Sequence, residues 1–505
     1  MVNHTEQAYL SVDDRRARGE EAAKQTPVSS HAQGPPTTGR PDPVDLLIEQ
    51  NATREQDLVP VRHGRMMVSP FTFYRGAAKV MAADLAGSPT AGLQVQLCGD
   101  AHLSNFGGFA SPERQLLFGL NDFDETLPGP FEYDLKRMAA SFTIAARNNG
   151  FGKADARAVT VESVKAYREA MAKFAGMRTL DVWYAHMSEA HIQEAMQAAA
   201  QEEASAGAGK PGKDKERDKG KAGKKKPPAK SGKADAGMAA AIKAATKNLR
   251  KAHTRDSLHA LGRFAEVVDG RYRIVSQPPV VVPLRDLDGS WGLSTDQMRD
   301  VVEDQFHAYQ TTLSADRRKL LERFTFVDMA RKVVGVGSVG TRAWMVLLQG
   351  RDTEDPLFLQ VKEATRSVLE AHLPKTRFNT PGQRVVEGQR MMQATPDIFL
   401  GWTKGVQDDR FYYWRQLRDM KASALVETMS PVAMGFYARL CGWTLARAHA
   451  RSGDPIAIAA YLGSGDDIDQ AITKFSTQYA DQNSQDYDAF VQAAKDGRIE
   501  AVHGV

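Results

Sequence analysis

The segment GDAHLSN, residues 99–105, places an aspartate, a histidine and an asparagine within six consecutive positions. A second segment, NDFDE at residues 121–125, follows an apolar run and adds the carboxylates Asp122 and Asp124. Carboxylate and carboxamide oxygens are hard ligands that suit Mg²⁺ when the ion is bound together with substrate phosphates. Phosphoryl transfer needs little beyond such a metal, a positioned nucleophile and neutralised charge. The two segments therefore predict a phosphotransferase site.

Asp100 and Asn105 stand five residues apart in what reads as a loop between two short strands, so their side chains can converge. Asp122, at the end of the next predicted strand, would complete the site, and Asp124 is either a second metal ligand or a capping residue. His102 is a candidate catalytic residue, with bracing of the loop by hydrogen bonds as the alternative. Aspartate and asparagine also favour loops for purely local hydrogen-bonding reasons, so this segment alone does not decide the function.

A glycine-rich segment in the second half, VVGVGSVG at 333–340, holds Gly335, Gly337 and Gly340 in G-x-G-x-x-G spacing. A dinucleotide-binding fold would need a helix directly after this motif. The residues that follow favour strands instead, which predicts a hairpin. A glycine-rich hairpin that covers nucleotide phosphates is the arrangement found in kinases. The alternative is a tight turn with no ligand.

Lys362 lies in LQVKEA, 359–364, which is predicted to be the second strand after the glycines. An unpaired lysine among apolar strand residues is costly to bury, so it needs an acid or a phosphate. Glu387, in the predicted helix QRVVEGQRMMQ, is the expected acid. Glu370 is nearer in sequence and is the competitor.

The spacing G-D-x-H-x-x-N, followed seventeen residues later by D-F-D, resembles the catalytic and metal loops of aminoglycoside phosphotransferases and other kinase-like enzymes. The resemblance implies that Asp100 is the catalytic aspartate, which orients the acceptor hydroxyl or accepts its proton. It implies that Asn105 and Asp122 are metal ligands. Asp134, in the segment GPFEYDL, would be a structural aspartate that braces the catalytic loop through backbone contacts.

Together these segments resemble the uncharacterised bacterial family called domain of unknown function 2252, over most of residues 60–500. The function of that family is not established, so the resemblance implies a fold but no substrate. Its kinase-like character also implies that FYYWRQL, 411–417, leads into a hinge, where the backbone of Gln416 and Leu417 would bind the edge of adenine.

The order of these segments differs from that of ordinary kinases, because the glycine loop follows Asp100 by more than 230 residues. The expected fold class is therefore a circularly permuted, kinase-like α/β fold with a helical large lobe and a β-rich small lobe. Permutation is tolerated where chain ends lie together at the surface. The alternative is two separate domains, of which the first is a metal-dependent hydrolase-like site.

Composition and predicted elements divide the chain into regions. They are a disordered N-terminal tail, 1–45; a helical catalytic lobe, 60–320, with a disordered Lys-rich insertion, 200–235; a β-rich nucleotide-binding lobe, 324–420; and C-terminal helices that complete the large lobe, 430–505. Residues 210–233 hold ten lysines and one arginine against three acids, a net charge of +8. The whole chain carries +4, so the rest is net −4. The basic character therefore predicts no specific nucleic-acid partner, although the tract itself is a candidate contact for an acidic partner.

Other features of the composition bear on the compartment. Cys98 and Cys441 are the only cysteines, which gives neither a disulfide framework nor a zinc spacing. The first residues have no apolar signal core, and no apolar run approaches the length of a membrane span. A cytoplasmic protein is expected.

The predicted reaction is the Mg²⁺-dependent transfer of a phosphoryl group from ATP to a hydroxyl. A small-molecule acceptor follows by analogy with aminoglycoside phosphotransferases. One alternative is transfer of AMP to protein on the same site. Another is a nucleotide-sensing module without turnover, against which the intact Asp100, Asn105 and Asp122 argue.

Overall fold

The computed structural model describes residues 10–502 and 504, except 198–246, 248–249, 255–256, 288–294, 334, 407–408 and 418–419. The Lys-rich insertion predicted at 200–235 lies outside the described residues. Over the part described, the protein is a mixed α/β fold with several sheets. No helix in these ranges has both the length and the apolar character needed to cross a bilayer.

Helices dominate the two ends of the described chain. Those of the first half are α1 Val12–Gln25, α2 Pro43–Asn51, α3 Val59–Met66, α4 Pro70–Gly76, α5 Ala78–Leu85, α6 Phe131–Asn148, α7 Lys153–Ala175 and α8 Thr179–Tyr184. Those of the second half are α9 Ser257–Phe264, α10 Thr295–Gln310, α11 Ala315–Leu321, α12 Pro381–Met392, α13 Pro431–Ser452, α14 Pro455–Leu462 and α15 Asp467–Lys495.

The strands form one large sheet and three small ones. In chain order they are β1 Gln94–Leu97, β2 Phe106–Ala110, β3 Leu116–Leu120, β4 Leu127–Pro130, β5 Met187–Ser188, β6 Ala265–Val268, β7 Arg271–Ile274, β8 Val281–Pro283, β9 Thr325–Lys332, β10 Ala343–Gln349, β11 Pro356–Ala364, β12 Gly401–Lys404, β13 Phe411–Gln416 and β14 Ala422–Ser423. The large sheet is antiparallel in the order β12-β13-β11-β10-β9-β8. The small sheets are β1-β4, β14-β2-β3-β5 and β6-β7.

Helix α6 is the centre of the helical region. Its sequence is rich in alanine, the residue with the highest helix propensity, and Leu135, Met138 and Phe142 are buried along it. The charged residues Glu132, Asp134, Lys136 and Arg137 are buried on it as well, so other segments enclose the helix on every side. Helices α7, α13 and α15 pack against it. The main core is therefore shared by segments from both ends of the chain.

The large sheet is covered on both faces by segments that precede it. On one face, Tyr309 of α10 stacks on Trp414 with ring centroids 4.6 Å apart. Phe264 of α9 packs with Met345 and Phe358 on the other. The predicted boundary at 320–324 was therefore wrong, because residues 257–321 supply the apolar cover without which the sheet faces would be exposed to water.

The prediction of a disordered tail was also wrong for residues 10–45. Ser11 caps α1 with a capping box, and α1 packs against α14 at Gly19, where any side chain would collide with the carbonyl of Ala457. His31 is buried, with Nε2 2.6 Å from the hydroxyl of Tyr461. The segment is polar overall, which predicted disorder, but a few small or buried residues such as Gly19 and His31 pack it against the rest of the protein.

Candidate functional site

The two polar segments of the first half meet in space. The loop after β1 turns at Gly99, which adopts φ +84°. A Cβ at Gly99 would collide with the backbone of Glu125, so glycine is required where the two loops approach each other. The amide of Asn121 donates to the carbonyl of Asn105 at 2.9 Å. These contacts confirm that the two predicted segments converge.

Asp134 holds the first loop from below. The amides of Cys98 and Gly99 donate to its two carboxylate oxygens, at 2.6 and 2.9 Å. Nε2 of His449 lies 3.2 Å from the same carboxylate, and the hydroxyl of Tyr167 lies 2.9 Å from Nδ1 of that histidine. The expected role of Asp134 as a brace of the loop through backbone contacts is confirmed.

Asp100 faces the cavity from this braced loop. Its Oδ1 accepts from Nε of Arg137 at 2.8 Å, and Nη2 of the same guanidinium lies 2.8 Å away. The guanidinium also stacks on the ring of Tyr74, 3.9 Å from its centroid. Arg137 was missed at the sequence level. The available signal was its position three residues after Asp134, which places both on one face of α6.

His102 lies beside Asp100 but is buried under the loop. Its Nε2 is 3.8 Å from the carboxylate of Asp100. Burial lowers the pKa of His102 to about 4, although Asp100 favours the charged form. The imidazole is therefore neutral at pH 7, and its buried Nδ1 has no hydrogen-bond partner among the described residues, so no hydrogen bond that braces the loop is seen from this ring.

Asn105 uses part of its side chain within the loop. Its Nδ2 donates to the carbonyl of Asp100 at 2.6 Å. The carboxamide oxygen is then the atom that could ligate a metal ion. The side chain lines the same cavity as Asp100, Asp122 and Asp124.

Lys362 on β11 reaches across to the second loop. Its Nζ donates to Asp124, and it lies 3.7 Å from the carboxylate of Asp122. Asp124 also accepts from the hydroxyl of Tyr413 at 2.8 Å. The lysine side chain is only 2% exposed, so these two acids provide the compensation that its burial requires.

The predicted partners of Lys362 were wrong. Glu387 instead accepts from Arg390, three residues later on α12, at 2.9 Å. Glu370 lies 3.7 Å from Nε of the buried Arg384. Both acids are satisfied by arginines of α12, whereas the loop at 121–125 brings its carboxylates directly beneath β11.

The two aspartates beside Lys362 titrate differently. Burial disfavours the charge of Asp122, but Lys362 and Arg415 outweigh it and lower the pKa of Asp122. Burial and the neighbouring charge of Asp122 raise the pKa of Asp124. Asp122 is therefore the more firmly ionised of the pair and the stronger candidate for a metal ligand.

The glycine-rich segment connects β9 to β10, which pair antiparallel, so the predicted hairpin is confirmed. Gly335 and Gly340 adopt φ +69° and +84°. The loop is held by the N-terminal helices: Arg54 donates to the carbonyl of Val339 and Arg65 to that of Gly335, both at 2.6 Å. Lys362 pairs with Ala343 at the start of β10, close to the end of the loop.

Two backbone amides of the predicted hinge form hydrogen bonds within the protein. The amide of Gln416 donates to the carboxylate of Asp397, and the amide of Leu417 donates to the carbonyl of Phe358 at 2.9 Å. The second bond continues the β11–β13 pairing by one residue beyond its last pair, Leu359 with Gln416. Since both amides are satisfied within the protein, neither is available to bind the edge of adenine.

Two cavities of about 720 Å³ each meet at Asp122. The inner cavity runs beneath the glycine loop between the end of β13 and α12, and its apolar wall includes Val333, Ile398 and Leu417. The outer cavity lies on the side of Asp100. Around the two lie Asp100, His102, Asn105, Asp122, Asp124, Gly335, Gly337, Lys362, Gln416 and Leu417. Glu387 lines neither cavity, and Gly340 approaches Arg54 instead.

The acids of the site do not form a closed metal cage. Within the described ranges, no group of three or more His, Cys, Asp and Glu side chains is placed to hold a metal ion. The nearest arrangement is Asp122 and Asp124 with the carboxamide of Asn105. Such a set fits an ion that keeps most of its water or shares ligands with a bound phosphate, which is the habit of Mg²⁺.

Glu125, next to these aspartates, provides a pH-dependent prediction. Burial raises its pKa from 4.5 to about 7, against the attraction of Arg384, and Asp124 and Asp100 raise it further. A raised acid pKa stabilises the fold below pH 4.5, and that stabilisation is lost as the pH rises through 7. We expect Glu125→Gln to lose less stability than the wild type between pH 5 and 8 in urea unfolding. Identical pH profiles would contradict the raised pKa.

A second acid serves as the comparison for this measurement. Burial raises the pKa of Glu132, on α6, to about 7 as well. Glu132→Gln should therefore also reduce the change in the free energy of unfolding between pH 5 and 8. The double variant should reduce it more than either single variant.

The comparisons with known proteins give one result. A family model described as an uncharacterized protein conserved in bacteria (DUF2252) matches residues 54–225 and 224–493. The matched segments span both polar loops, the glycine hairpin and α13. No curated protein and no solved structure matches the chain.

Proposed function

Because the chain belongs to the DUF2252 family, whose description names no reaction, we propose its function from the site itself. The protein is an ATP- and Mg²⁺-dependent phosphotransferase that moves a phosphoryl group to a hydroxyl of a small molecule. Its fold is a circularly permuted, kinase-like arrangement in which the helical region carries Asp100 and the large sheet carries the glycine loop.

The contact between Lys362 and Asp124 carries this proposal. The two residues are 238 positions apart. The segment of Lys362 supplies the glycine hairpin and the lysine, and the segment of Asp124 supplies the two polar loops. Their pairing makes one cleft of the glycine hairpin, the lysine and the two polar loops. Two separate domains, the first with a hydrolase-like site, would not require this ion pair.

Each residue of the cleft has a distinct part in the proposed reaction. Lys362 and the glycine loop would hold the phosphates of ATP, with the base in the inner cavity against its apolar wall of Val333, Ile398 and Leu417. Asp122, with Asp124 and Asn105, would hold Mg²⁺, which neutralises phosphate charge when bound. Asp100 would orient the acceptor hydroxyl or accept its proton, and Arg137 fixes the position of that carboxylate.

Calorimetric titration of ATP, with and without Mg²⁺, tests the proposal. Lys362→Met and Asp122→Asn should each weaken binding of Mg²⁺–ATP by roughly 10- to 100-fold, because a hydrogen bond to a charged group contributes about 1.5–3 kcal/mol. The matched controls are Lys404→Met and Asp409→Asn, an exposed ion pair at 2.9 Å, and these should bind as the wild type does.

The outcome also separates the alternative functions. If the wild type binds no nucleotide, or only one of the two variants matters, the two halves do not form a single nucleotide site. ADP as the product supports phosphoryl transfer, whereas AMP attached to protein supports nucleotidyl transfer. Binding without either product would indicate a nucleotide-sensing module.

A further inference from the structure

Among the residues that the structure describes, the carboxylates around the outer cavity are paired, whereas several of its cations are not. Its carboxylates have cationic or amide partners: Glu49 pairs with Lys79, Asp100 with Arg137, Asp122 and Asp124 with Lys362, Glu125 with the amide of Val368, Glu363 with Arg342 and Arg410, and Glu370 with Arg384. Four cations on the same wall, Arg54, Arg75, Arg366 and Lys375, form no ion pair with any carboxylate in the described ranges. The cavity therefore presents positive charge that the protein itself does not neutralise.

Arg75 is the central member of this group. It occupies the last turn of α4, and its backbone carbonyl lies against Gly337 of the glycine loop. Its Nε is buried and has no acceptor among the described residues. Burial lowers the pKa of Arg75, against the weaker attraction of Glu427 and Asp100. A guanidinium held in this way gains from an anion that enters the cavity.

Arg54 lies against Gly340, at the end of the glycine loop. One Nη donates to the carbonyl of Val339, but Nε is buried with no acceptor in the part of the chain that the structure describes. Burial lowers the pKa of Arg54 to about 10. Arg366 and Lys375 are exposed at the mouth of the cavity. The two exposed cations can attract an anion from solvent, and the two half-buried guanidiniums can then bind it inside the cavity.

The four cations share the outer cavity with Asp100 and also with Val336 and Gly337 of the glycine loop. All four line the outer cavity, which contains Asp100, and none lines the inner cavity beneath the glycine loop. Lys362, which would hold the nucleotide phosphates, lines the inner cavity. The cations therefore lie on the side from which the acceptor hydroxyl must approach Asp100.

We propose that the acceptor carries an anionic group, a phosphate or a carboxylate, besides the hydroxyl that is phosphorylated. Arg75 and Arg54 bind this group, and Arg366 and Lys375 draw it into the outer cavity. This inference rests on the proposed function. It excludes cationic acceptors, such as aminoglycosides, from the preferred substrates, because these cations would repel them.

A titration with simple anions tests the proposal. Inorganic phosphate, and separately acetate, is titrated into the protein alone and into the protein saturated with Mg²⁺ and an ATP analogue whose β–γ bridge is an imido group. We expect Arg75→Ala to weaken phosphate binding by at least 10-fold and to leave affinity for the analogue within 2-fold. The control Arg351→Ala, in an exposed turn, should change neither. The anion that binds more tightly, phosphate or acetate, identifies the group that the acceptor carries.

A second pair of variants guards against loss of folding in Arg75→Ala. Arg366→Ala combined with Lys375→Ala changes only exposed side chains and should weaken phosphate binding by several-fold. ADP formation with glycerol, glycerate and glycerol 3-phosphate provides an independent readout. The charged members should be the better acceptors in the wild type and should lose that advantage in Arg75→Lys.

The outcomes distinguish this inference from the function on which it rests. If the analogue binds but neither anion does, the anion site is wrong and the nucleotide site stands. If Arg75→Ala weakens the analogue as much as phosphate, the cations serve the γ-phosphate and the proposal fails. If phosphate binds through Arg75 but no analogue binds, the anion site stands and the phosphotransferase function fails.

Discussion

Replacing Asp100 with Asn should lower ADP formation from Mg²⁺–ATP by roughly 10²- to 10⁴-fold, the range by which a positioned general base accelerates proton transfer. The amide keeps an oxygen that can accept from Arg137, so the loop should stay in place. The affinity for nucleotide should change by less than about 3-fold, since the proposed role of Asp100 is toward the acceptor and Asp122, Asp124 and Asn105 would hold the metal ion. Phosphate release from Mg²⁺–ATP, with water as the acceptor, measures turnover. Calorimetric titration of ATP measures the affinity for nucleotide.

The control for this experiment is Asp352→Asn, an exposed carboxylate paired with Arg351 at 2.7 Å, which should leave ADP formation unchanged. A loss of nucleotide affinity in Asp100→Asn as large as the loss of turnover would assign Asp100 to metal or phosphate binding. Turnover within about 3-fold of the wild type would remove Asp100 from the reaction.

Replacing Arg40 with Met should destabilise the protein by about 3–5 kcal/mol, the usual cost of leaving one partner of a buried ion pair alone. Arg40 donates to Asp84 and to Asp486 through four hydrogen bonds of 2.6–2.9 Å. Both carboxylates are at most 5% exposed. Without the guanidinium, two negative charges would remain together between α5 and α15. Urea unfolding at pH 7 measures the difference.

Two comparisons show whether the buried charges cause that loss. The triple variant Arg40→Met with Asp84→Asn and Asp486→Asn should recover most of the stability, because no buried charge is then left without a partner. Arg498→Met removes an arginine that pairs with two exposed aspartates, Asp42 and Asp45, and should cost less than about 1 kcal/mol. Equal losses in Arg40→Met and Arg498→Met would contradict the argument.

The sequence predicted those parts of the site that depend on local pattern. The glycine spacing followed by β-forming residues predicted the β9–β10 hairpin, and the lysine was placed on the correct strand. Asp134 followed from a motif with a known geometric role. The hairpin follows from neighbouring residues, whereas the lysine and Asp134 follow from the order of segments in kinase-like enzymes.

The features that escaped prediction depend on contacts between distant segments. The acid that pairs with Lys362 could not be chosen, because helix and strand patterns do not report which loop passes beneath β11. The backbone of Gln416 and Leu417 was assigned to the edge of adenine by resemblance, whereas Asp397 and Phe358 accept hydrogen bonds from its two amides. Similarly, residues 257–321 were assigned to the helical region, and their contacts with the large sheet, such as the packing of Tyr309 on Trp414 and the pairing of β8 with β9, assign them to the sheet instead.

The brace between Asp134 and His449 spans 315 positions, and this separation has a consequence for synthesis on the ribosome. By the time Asp134 emerges, the whole catalytic loop has been translated, yet His449 and the helices that enclose α6 do not exist. Chains dominated by such long-range contacts fold slowly and expose apolar surface meanwhile. The sides of α6 that α13 and α15 cover are therefore exposed until late in translation, although α7 follows directly and can cover another side early.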